Sequence, residues 1–248
     1  MVADVKTDVA EYYDPEKNAT GDHYCFSETT PTYIRHDFIK KVFAIVGLQL
    51  LATFGFVTLC CTVESVKIFM MEHPALMYTA AAIQGVACLL VFFMPSLVDR
   101  KGGAVTFTVV MTTCMSIVVA YVASTYAPFE LAVACGITLG VTLSLIIFAF
   151  QTKWDFTSFI WYIFPIMIAM MISSVLLAIF PNKTAGIVYA CIGAIIFSIV
   201  LVLDIQLVVG GKKYEWTIDD YVLAALCIYV DIINLFLHVL RLVGAFGD

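Results

Sequence analysis

Two aspartates stand within long apolar stretches of the chain. Asp204 and Asp231 are the only acidic residues deep inside such stretches, whereas Glu130 lies at the edge of one. A charged side chain in the hydrocarbon region of a bilayer is costly, and those that occur there generally serve a function. These two carboxyl groups are therefore the first candidates for chemistry in this protein.

The chemistry depends on whether the two carboxyl groups meet. Two carboxylates in contact in a medium of low dielectric cannot both ionise easily, so such a pair is expected to share a proton. The protonated pair would be a hydrogen-bonded link between two helices. The deprotonated pair would repel itself and attract a divalent cation, and Ca²⁺ favours carboxylate oxygen. Asp204 and Asp231 are thus a candidate pH-sensing pair and a candidate Ca²⁺ site.

The positions of the two aspartates along their predicted helices do not decide whether the carboxyl groups meet. Asp204 is about six residues from the end of its apolar stretch, or ~9 Å of helix, and Asp231 is about ten residues into the next, or ~15 Å. Helix tilt or a longer helix could absorb the difference of ~6 Å. The alternative is that each aspartate separately bonds a hydroxyl or backbone group or caps a kink.

Further polar residues share the helical period of Asp231. Steps of 7, 4, 3 and 4 residues put them on one side of a helix, which must face the interior of a bundle or water. His238 is expected to be a polar interior residue rather than a metal ligand, and Gln206 is expected to point away from Asp204. The stripe consists of Asp220, Cys227, Asp231, Asn234 and His238.

The composition identifies the elements that must position these residues. The 248 residues are 62% hydrophobic and 13% charged, whereas soluble domains are about 45–50% apolar and about 25% charged. The net charge of −6 offers no basic patch for nucleic acid. A soluble enzyme and a nucleic-acid binder are therefore excluded in favour of an integral membrane protein.

Seven stretches are long enough to cross a bilayer as helices, which takes about 20 apolar residues. The connections between most of them are short, so consecutive helices are antiparallel neighbours. The sequence therefore predicts an all-α membrane protein, a bundle of seven transmembrane helices with the last helix lying against the sixth. The predicted spans are residues 42–62, 76–94, 104–125, 129–150, 156–180, 185–209 and 221–245.

The positions of the basic residues predict the orientation. With the N-terminus in the cytosol, ten Lys and Arg residues fall on the cytosolic side and three, namely Lys67, Lys183 and Arg241, on the other. An excess of basic residues in cytosolic segments is the rule. The last, more polar span either crosses the membrane or enters and returns.

Residues 1–33 differ from the rest of the chain. They hold seven acidic residues and two lysines and lack apolar segments that could form a core. Such a composition is typical of disorder. The predicted organisation is an acidic cytosolic tail over residues 1–33 and a membrane domain over residues 34–248.

Several motifs resemble one family of membrane proteins. The sequence DDYVLAALCIYVDIINLFLHVLR at 219–241 resembles the last segment of the Bax-inhibitor-motif proteins, especially the lifeguard branch that includes the Golgi anti-apoptotic proteins. IRHDFIKKVF at 34–43, before Gln49, is similar to the start of that family's first helix. VLDIQ at 202–206 is similar to its sixth-helix aspartate motif, and ESV at 64–66 with EHPAL at 72–76 resembles the Golgi branch.

The resemblance implies a seven-helix fold of the Bax-inhibitor-motif type. It also implies a Ca²⁺ leak from an intracellular store, in the Golgi or endoplasmic reticulum, and suppression of apoptosis. The family's pH-sensitive aspartate pair matches Asp204 and Asp231, and an acidic residue that affects conduction in the Golgi branch matches Asp219. The arginine that bridges the pair in bacterial relatives has no counterpart, because residues 76–94 contain no Lys or Arg.

Other classes of membrane protein would need residues that this chain lacks. An intramembrane aspartyl protease would have Gly-x-Gly-Asp at its second aspartate, where this chain has Ile228-Tyr-Val-Asp231. A haem protein would need paired histidines within the spans, and a retinal protein would need a lysine in the last helix. The remaining alternative is a non-conducting adaptor that regulates cell death through protein partners.

The expected partners follow from these hypotheses. They are the lipid bilayer, Ca²⁺ and protons, together with apoptosis-regulating membrane proteins in the adaptor alternative. No nucleic acid, no catalytic residue and no cofactor are expected, with Ca²⁺ acting as a permeant or bound ion.

Overall fold

The structure is a computed structural model that describes residues 32–94, 102–210, 216 and 220–247. All regular elements in these ranges are helical. The predicted acidic tail, apart from its last two residues, and Asp219 lie outside the described residues. The elements are α1 (Thr32–Thr62), α2 (Glu64–Glu72), α3 (Pro74–Phe93), α4 (Gly103–Ser124), α5 (Pro128–Gln151), a 3₁₀ turn (Phe156–Phe159), α6 (Ile160–Ile179), α7 (Lys183–Val209) and α8 (Tyr221–Gly247).

The described helices confirm the predicted membrane bundle. Six of them are long and apolar enough to cross a membrane, and the number is seven if the bent pair formed by α2 and α3 is counted as one span. Large apolar side chains on their outer faces are exposed, including Leu51 and Trp161, each with an exposed fraction of 73%. Exposed apolar surface on this scale is typical of contact with lipid rather than water.

The short helix α2 is an element that the sequence analysis did not predict. It precedes α3 at an angle of 71°. The break falls at His73, whose backbone N–H bonds Phe69 O at 3.2 Å. Pro74 follows and begins α3. Helical geometry is disfavoured for a residue that precedes a proline, which accounts for the break at His73. A proline itself is best tolerated in the first turn of a helix, where Pro74 lies.

Helix α8 is the centre of the bundle. In its most apolar window 67% of the residues are buried, against 6% for the segment Phe156–Ile179 that contains α6. It packs most extensively on α7 and also on α5, α1 and α4. The prediction that the last helix lies against the sixth span, here α7, is confirmed.

The last span is a continuous helix that runs the length of the bundle. Its 27 residues correspond to about 40 Å. Near its start, the Tyr221 ring lies 5.5 Å from the Lys41 ammonium of α1. Near its end, Gly244 lies against the Tyr126 ring from the connection between α4 and α5. Of the two alternatives left open by the sequence, the structure therefore favours a crossing helix over a re-entrant one.

Candidate functional site

The structure brings Asp204 and Asp231 together between α7 and α8. Their side chains lie close enough to interact directly. This is the helix pair with the most extensive contact in the bundle. The difference of ~6 Å expected from counting residues is thus absorbed by the way the two helices pack.

Asp231 is buried and Asp204 is partly buried, and within the described residues neither has a cationic partner. Asp231 is 4% exposed, and its Oδ2 receives no hydrogen bond from another donor among the described residues. In the described parts of the chain neither aspartate forms an ion pair with Lys, Arg or His. An ionised carboxylate only accepts hydrogen bonds, so a bond between two carboxyl groups requires a proton on one of them. One proton shared between the two carboxyl groups would make this contact favourable.

The arginine that bridges the aspartate pair in bacterial relatives is not replaced by another basic residue of the corresponding helix, α3. Helix α3 packs mainly against α4 rather than against α7 or α8. It carries Cys88, which lies near Cys227 of α8. The contact between the two carboxyl groups therefore lies within the wider apolar packing of α7 on α8.

The rest of the predicted stripe divides into two parts. Asp220 is half-buried immediately before α8, and Cys227 lies beside the aspartate pair. Asn234 donates from its side chain to the Val230 carbonyl at 2.8 Å. Together with His238 it lines a cavity nearer the other end of α8.

His238 is an interior residue, as expected. Its ring is 7% exposed and lies 5.4 Å from the Phe197 ring and 5.1 Å from the Tyr189 ring. On α7 it rests on Gly193, where an added Cβ would collide with the imidazole. The glycine therefore permits the close approach of α7 and α8 at this level.

A chain of buried hydroxyl groups near the pair was missed by the sequence analysis. The Thr53 hydroxyl lies 2.9 Å from the Ser116 hydroxyl and 2.8 Å from the Tyr229 hydroxyl. Because Ser116 donates to the Thr112 carbonyl at 2.7 Å, Thr53 must donate to Ser116 and Tyr229 to Thr53. This chain joins α1, α4 and α8, and Tyr229 is two residues from Asp231. The available signal was the presence of Thr53 and Ser116 in otherwise apolar spans.

Gln206 points away from the aspartates, as expected, and holds a connection in place. Its side chain donates to the Trp154 carbonyl and accepts from the Phe156 backbone N–H, both at 2.9 Å. Asp155 accepts from the Thr157 backbone N–H at 3.0 Å and so caps the 3₁₀ turn. The segment before α6 is therefore fixed to α7 close to Asp204.

Two carboxyl groups can form only part of a Ca²⁺ coordination shell. Ca²⁺ takes about six to eight oxygen ligands, and two carboxylates supply four at most. No group of three His, Cys, Asp or Glu side chains suited to a metal occurs within the described residues. Water or backbone oxygens would have to complete the shell, which suits a passing ion better than a tightly held one.

These observations define a class of protein, an all-helical membrane bundle whose candidate site is a buried pair of carboxyl groups between its last two helices. The sequence profile described as "Bax1-I: Inhibitor of apoptosis-promoting Bax1" matches residues 35–248. The chain therefore belongs to the Bax inhibitor family, whose members are anti-apoptotic membrane proteins.

Individual relatives agree with this assignment. The chain is 32% identical to Protein lifeguard 3 of Homo sapiens over 236 residues, which cover 94% of this chain and 76% of the relative. It is 32% identical to Protein lifeguard 3 of Mus musculus over 237 residues, covering 94% and 77%. It is 29% identical to Protein lifeguard 4 of Mus musculus over 213 residues, covering 86% and 87%. The predicted resemblance to the lifeguard branch is confirmed.

Proposed function

We propose that this protein is a pH-sensitive calcium leak channel of an intracellular membrane, in the Golgi or endoplasmic reticulum. By lowering the calcium content of the store it suppresses apoptosis. The observation that carries the proposal is the close contact of Asp204 and Asp231 between the two helices that pack most extensively in the bundle. Membrane-embedded acidic residues are characteristic of ion and proton pathways. The pair has a gating role, and no catalytic step is assigned to it.

Gating follows from the number of protons on the pair. With one proton shared, the two carboxyl groups hold α7 and α8 together and the path is closed. Loss of that proton leaves two negative charges in contact, which repel each other and attract Ca²⁺. Acidification therefore reduces the leak and alkalinisation increases it.

The orientation adds two parts to the proposal. The N-terminus is cytosolic, which places the start of α8 on the cytosolic side. Asp219, matched to a conduction-modulating acid by family resemblance, modulates conduction, because negative charge near a pore attracts cations.

The experiment is calcium release from liposomes that contain the purified full-length protein. The wild type should release Ca²⁺ in a pH-dependent manner, whereas Asp204→Asn and Asp231→Asn should each lose most of the pH dependence. Asn234→Ala, on the same helix but outside the pair, is the matched control and should keep the pH dependence. Wild-type flux no greater than that of empty liposomes, with insertion verified by protease protection, would refute conduction.

The adaptor alternative draws on one observation. The family description names an inhibitor of Bax1, and inhibition could proceed by contact with a protein partner. In that case both Asn variants should still protect cells and still co-purify with the partner. Loss of protection in the variants that lose pH-dependent flux would favour the channel.

A further inference from the structure

A set of adjoining cavities lies at the end of the bundle where α6 is connected to α7. One cavity of about 240 Å³ lies between α4, α6, α7 and α8, and is called the polar cavity here. A second, of about 400 Å³, shares Tyr126, Leu177 and Arg241 with it. A third, of about 820 Å³, is a groove between α6 and α7 that also includes Leu177 and is called the apolar groove. The three spaces therefore adjoin, and they lie away from the aspartate pair.

The polar cavity is lined by an imidazole that forms no hydrogen bond with protein groups in the described residues. His238 lines it and is 7% exposed. Within the described residues its imidazole has ring contacts to Phe197 and Tyr189 but no hydrogen bond. A ring nitrogen that is not occupied by a protein partner can donate to or accept from a molecule in the cavity. The ring is therefore available to a ligand that enters the cavity.

Cationic side chains line two of these cavities. Arg241 lines both the polar cavity and the 400 Å³ cavity, its guanidinium carbon 5.9 Å from the centre of the Tyr189 ring. No acidic side chain lines either cavity among the described residues. The acid that begins α5, Glu130, accepts a hydrogen bond from the Ala127 backbone N–H at 2.9 Å. Lys183 adds a second cation to the lining of the 400 Å³ cavity.

The apolar groove extends from this cationic region into the face of the bundle that meets lipid. Helix α6 packs on α7 and on the 3₁₀ turn that precedes α6 in the chain. The groove lies beside the contact between α6 and α7. The groove is lined on α6 from Ile166 to Leu177 and on α7 by residues such as Val188 and Ile192. Twelve helical residues correspond to about 18 Å. A groove of this length and polarity suits an extended acyl chain.

We propose that this end of the bundle binds an anionic phospholipid. The phosphate lies against Arg241, whose planar group forms paired hydrogen bonds with phosphate oxygens. His238 contributes a hydrogen bond from the polar cavity, and one acyl chain occupies the apolar groove. A zwitterionic headgroup would bring a quaternary ammonium towards Arg241 and Lys183, which like-charge repulsion disfavours.

The headgroup part of the proposal is tested by native mass spectrometry of the full-length protein. Detergent-solubilised protein is titrated with phosphatidylglycerol or with phosphatidylcholine of the same acyl chains. The wild type should prefer phosphatidylglycerol, and Arg241→Gln should lower that preference by roughly tenfold, as expected for loss of one charge-assisted contact. Lys67→Gln removes one positive charge away from these cavities and should leave the preference unchanged.

The groove part of the proposal is tested by filling the space. Ala169→Phe places a ring in the apolar groove and should reduce lipid binding, whereas Ala82→Phe, on the exposed face of α3, should not. Equal binding of the two lipids, or Arg241→Gln with wild-type preference, would overturn the proposal. Displacement of phosphatidylglycerol by inorganic phosphate alone, with no effect of Ala169→Phe, would assign the site to free phosphate instead.

Folding is checked in the same samples. Each variant should elute as the wild type in gel filtration, and if Arg241→Gln does not, Ala169→Phe against Ala82→Phe decides the question alone. Lipid binding is measured without ion flux, so its failure would leave the proposed channel function standing, and absence of flux would not affect the lipid site.

Discussion

At the scale of single residues, the main feature of the aspartate pair is that no cationic side chain of the described residues contacts it. Asp231 is almost wholly buried, and its contact with Asp204 is not relieved by a cation in the described residues. A proton is the smallest species that can make this contact favourable. In the proposed mechanism, the sensitivity of the site to pH and its attraction for Ca²⁺ have the same origin, the second negative charge that appears when the proton leaves.

The residue types at the site could be predicted, but their contact could not. Asp204 and Asp231 are conspicuous because charge is rare within spans, whereas their separation depends on helix tilt, which the sequence pattern leaves undefined. The hydroxyl chain was missed for a related reason. Thr53 lies 63 residues from Ser116 and 176 from Tyr229, and most spanning Thr and Ser residues simply bond a carbonyl four residues back.

The hydroxyl chain makes a prediction about stability. Thr53→Val keeps the volume but leaves the Tyr229 hydroxyl without its acceptor, so the free energy of unfolding should fall by about 1–2 kcal/mol. Tyr229→Phe removes the first donor and leaves the bond from Thr53 to Ser116, so it should cost only about 0.6 kcal/mol. Reversible unfolding in mixed micelles measures both. A larger loss for Tyr229→Phe than for Thr53→Val would contradict the donor order.

At the scale of helices, hydropathy located the spans but not their ends. The first predicted span began at residue 42, whereas α1 begins at Thr32. The additional turns contain charged residues such as Lys40 and Lys41, which are compatible with a helix but not with the hydrocarbon region. Helix α2 was missed because its nine residues are too short and too polar to resemble a span.

The packing of α7 on α8 depends on the absence of a side chain at Gly193. Gly193→Ala should force the His238 ring to move and lower the free energy of unfolding by about 1–3 kcal/mol. Gly140→Ala is the matched control, because an added Cβ there meets nothing within 4 Å and a helical Gly→Ala change is otherwise favourable. His238→Ala in the Gly193→Ala background should recover part of the loss in a double-mutant cycle. Equal effects of the two glycine changes would exclude the contact.

At the scale of the whole molecule, one helix connects the features described above. Helix α8 carries Asp231 and Tyr229 in its first half and His238 and Arg241 in its second. Its central position explains how charge at the aspartate pair could alter the packing of several helices at once. The fold class and the α7–α8 neighbourhood were predictable from span count and short connections, whereas the central placement of α8 was not, because hydropathy does not distinguish a lipid-facing helix from a buried one.

The crossing of α8 makes a topological prediction. In a variant without native cysteines, Phe246→Cys should react with a membrane-impermeant thiol reagent from the same side as Phe129→Cys and from the opposite side to Trp154→Cys. All three positions are well exposed, with fractions of 85%, 79% and 78%. Labelling of Phe246→Cys from the Trp154 side would instead indicate a segment that enters the membrane and returns.

The central claim is that one proton shared by Asp204 and Asp231 closes the path. The most direct measurement follows Ca²⁺ flux and the infrared carbonyl band of protonated carboxyl groups in the same proteoliposomes as pH is raised. The flux should rise as the band disappears, with a common midpoint, and the band should be absent or shifted in Asp204→Asn and Asp231→Asn. A flux that grows with acid while the band also grows would contradict the mechanism.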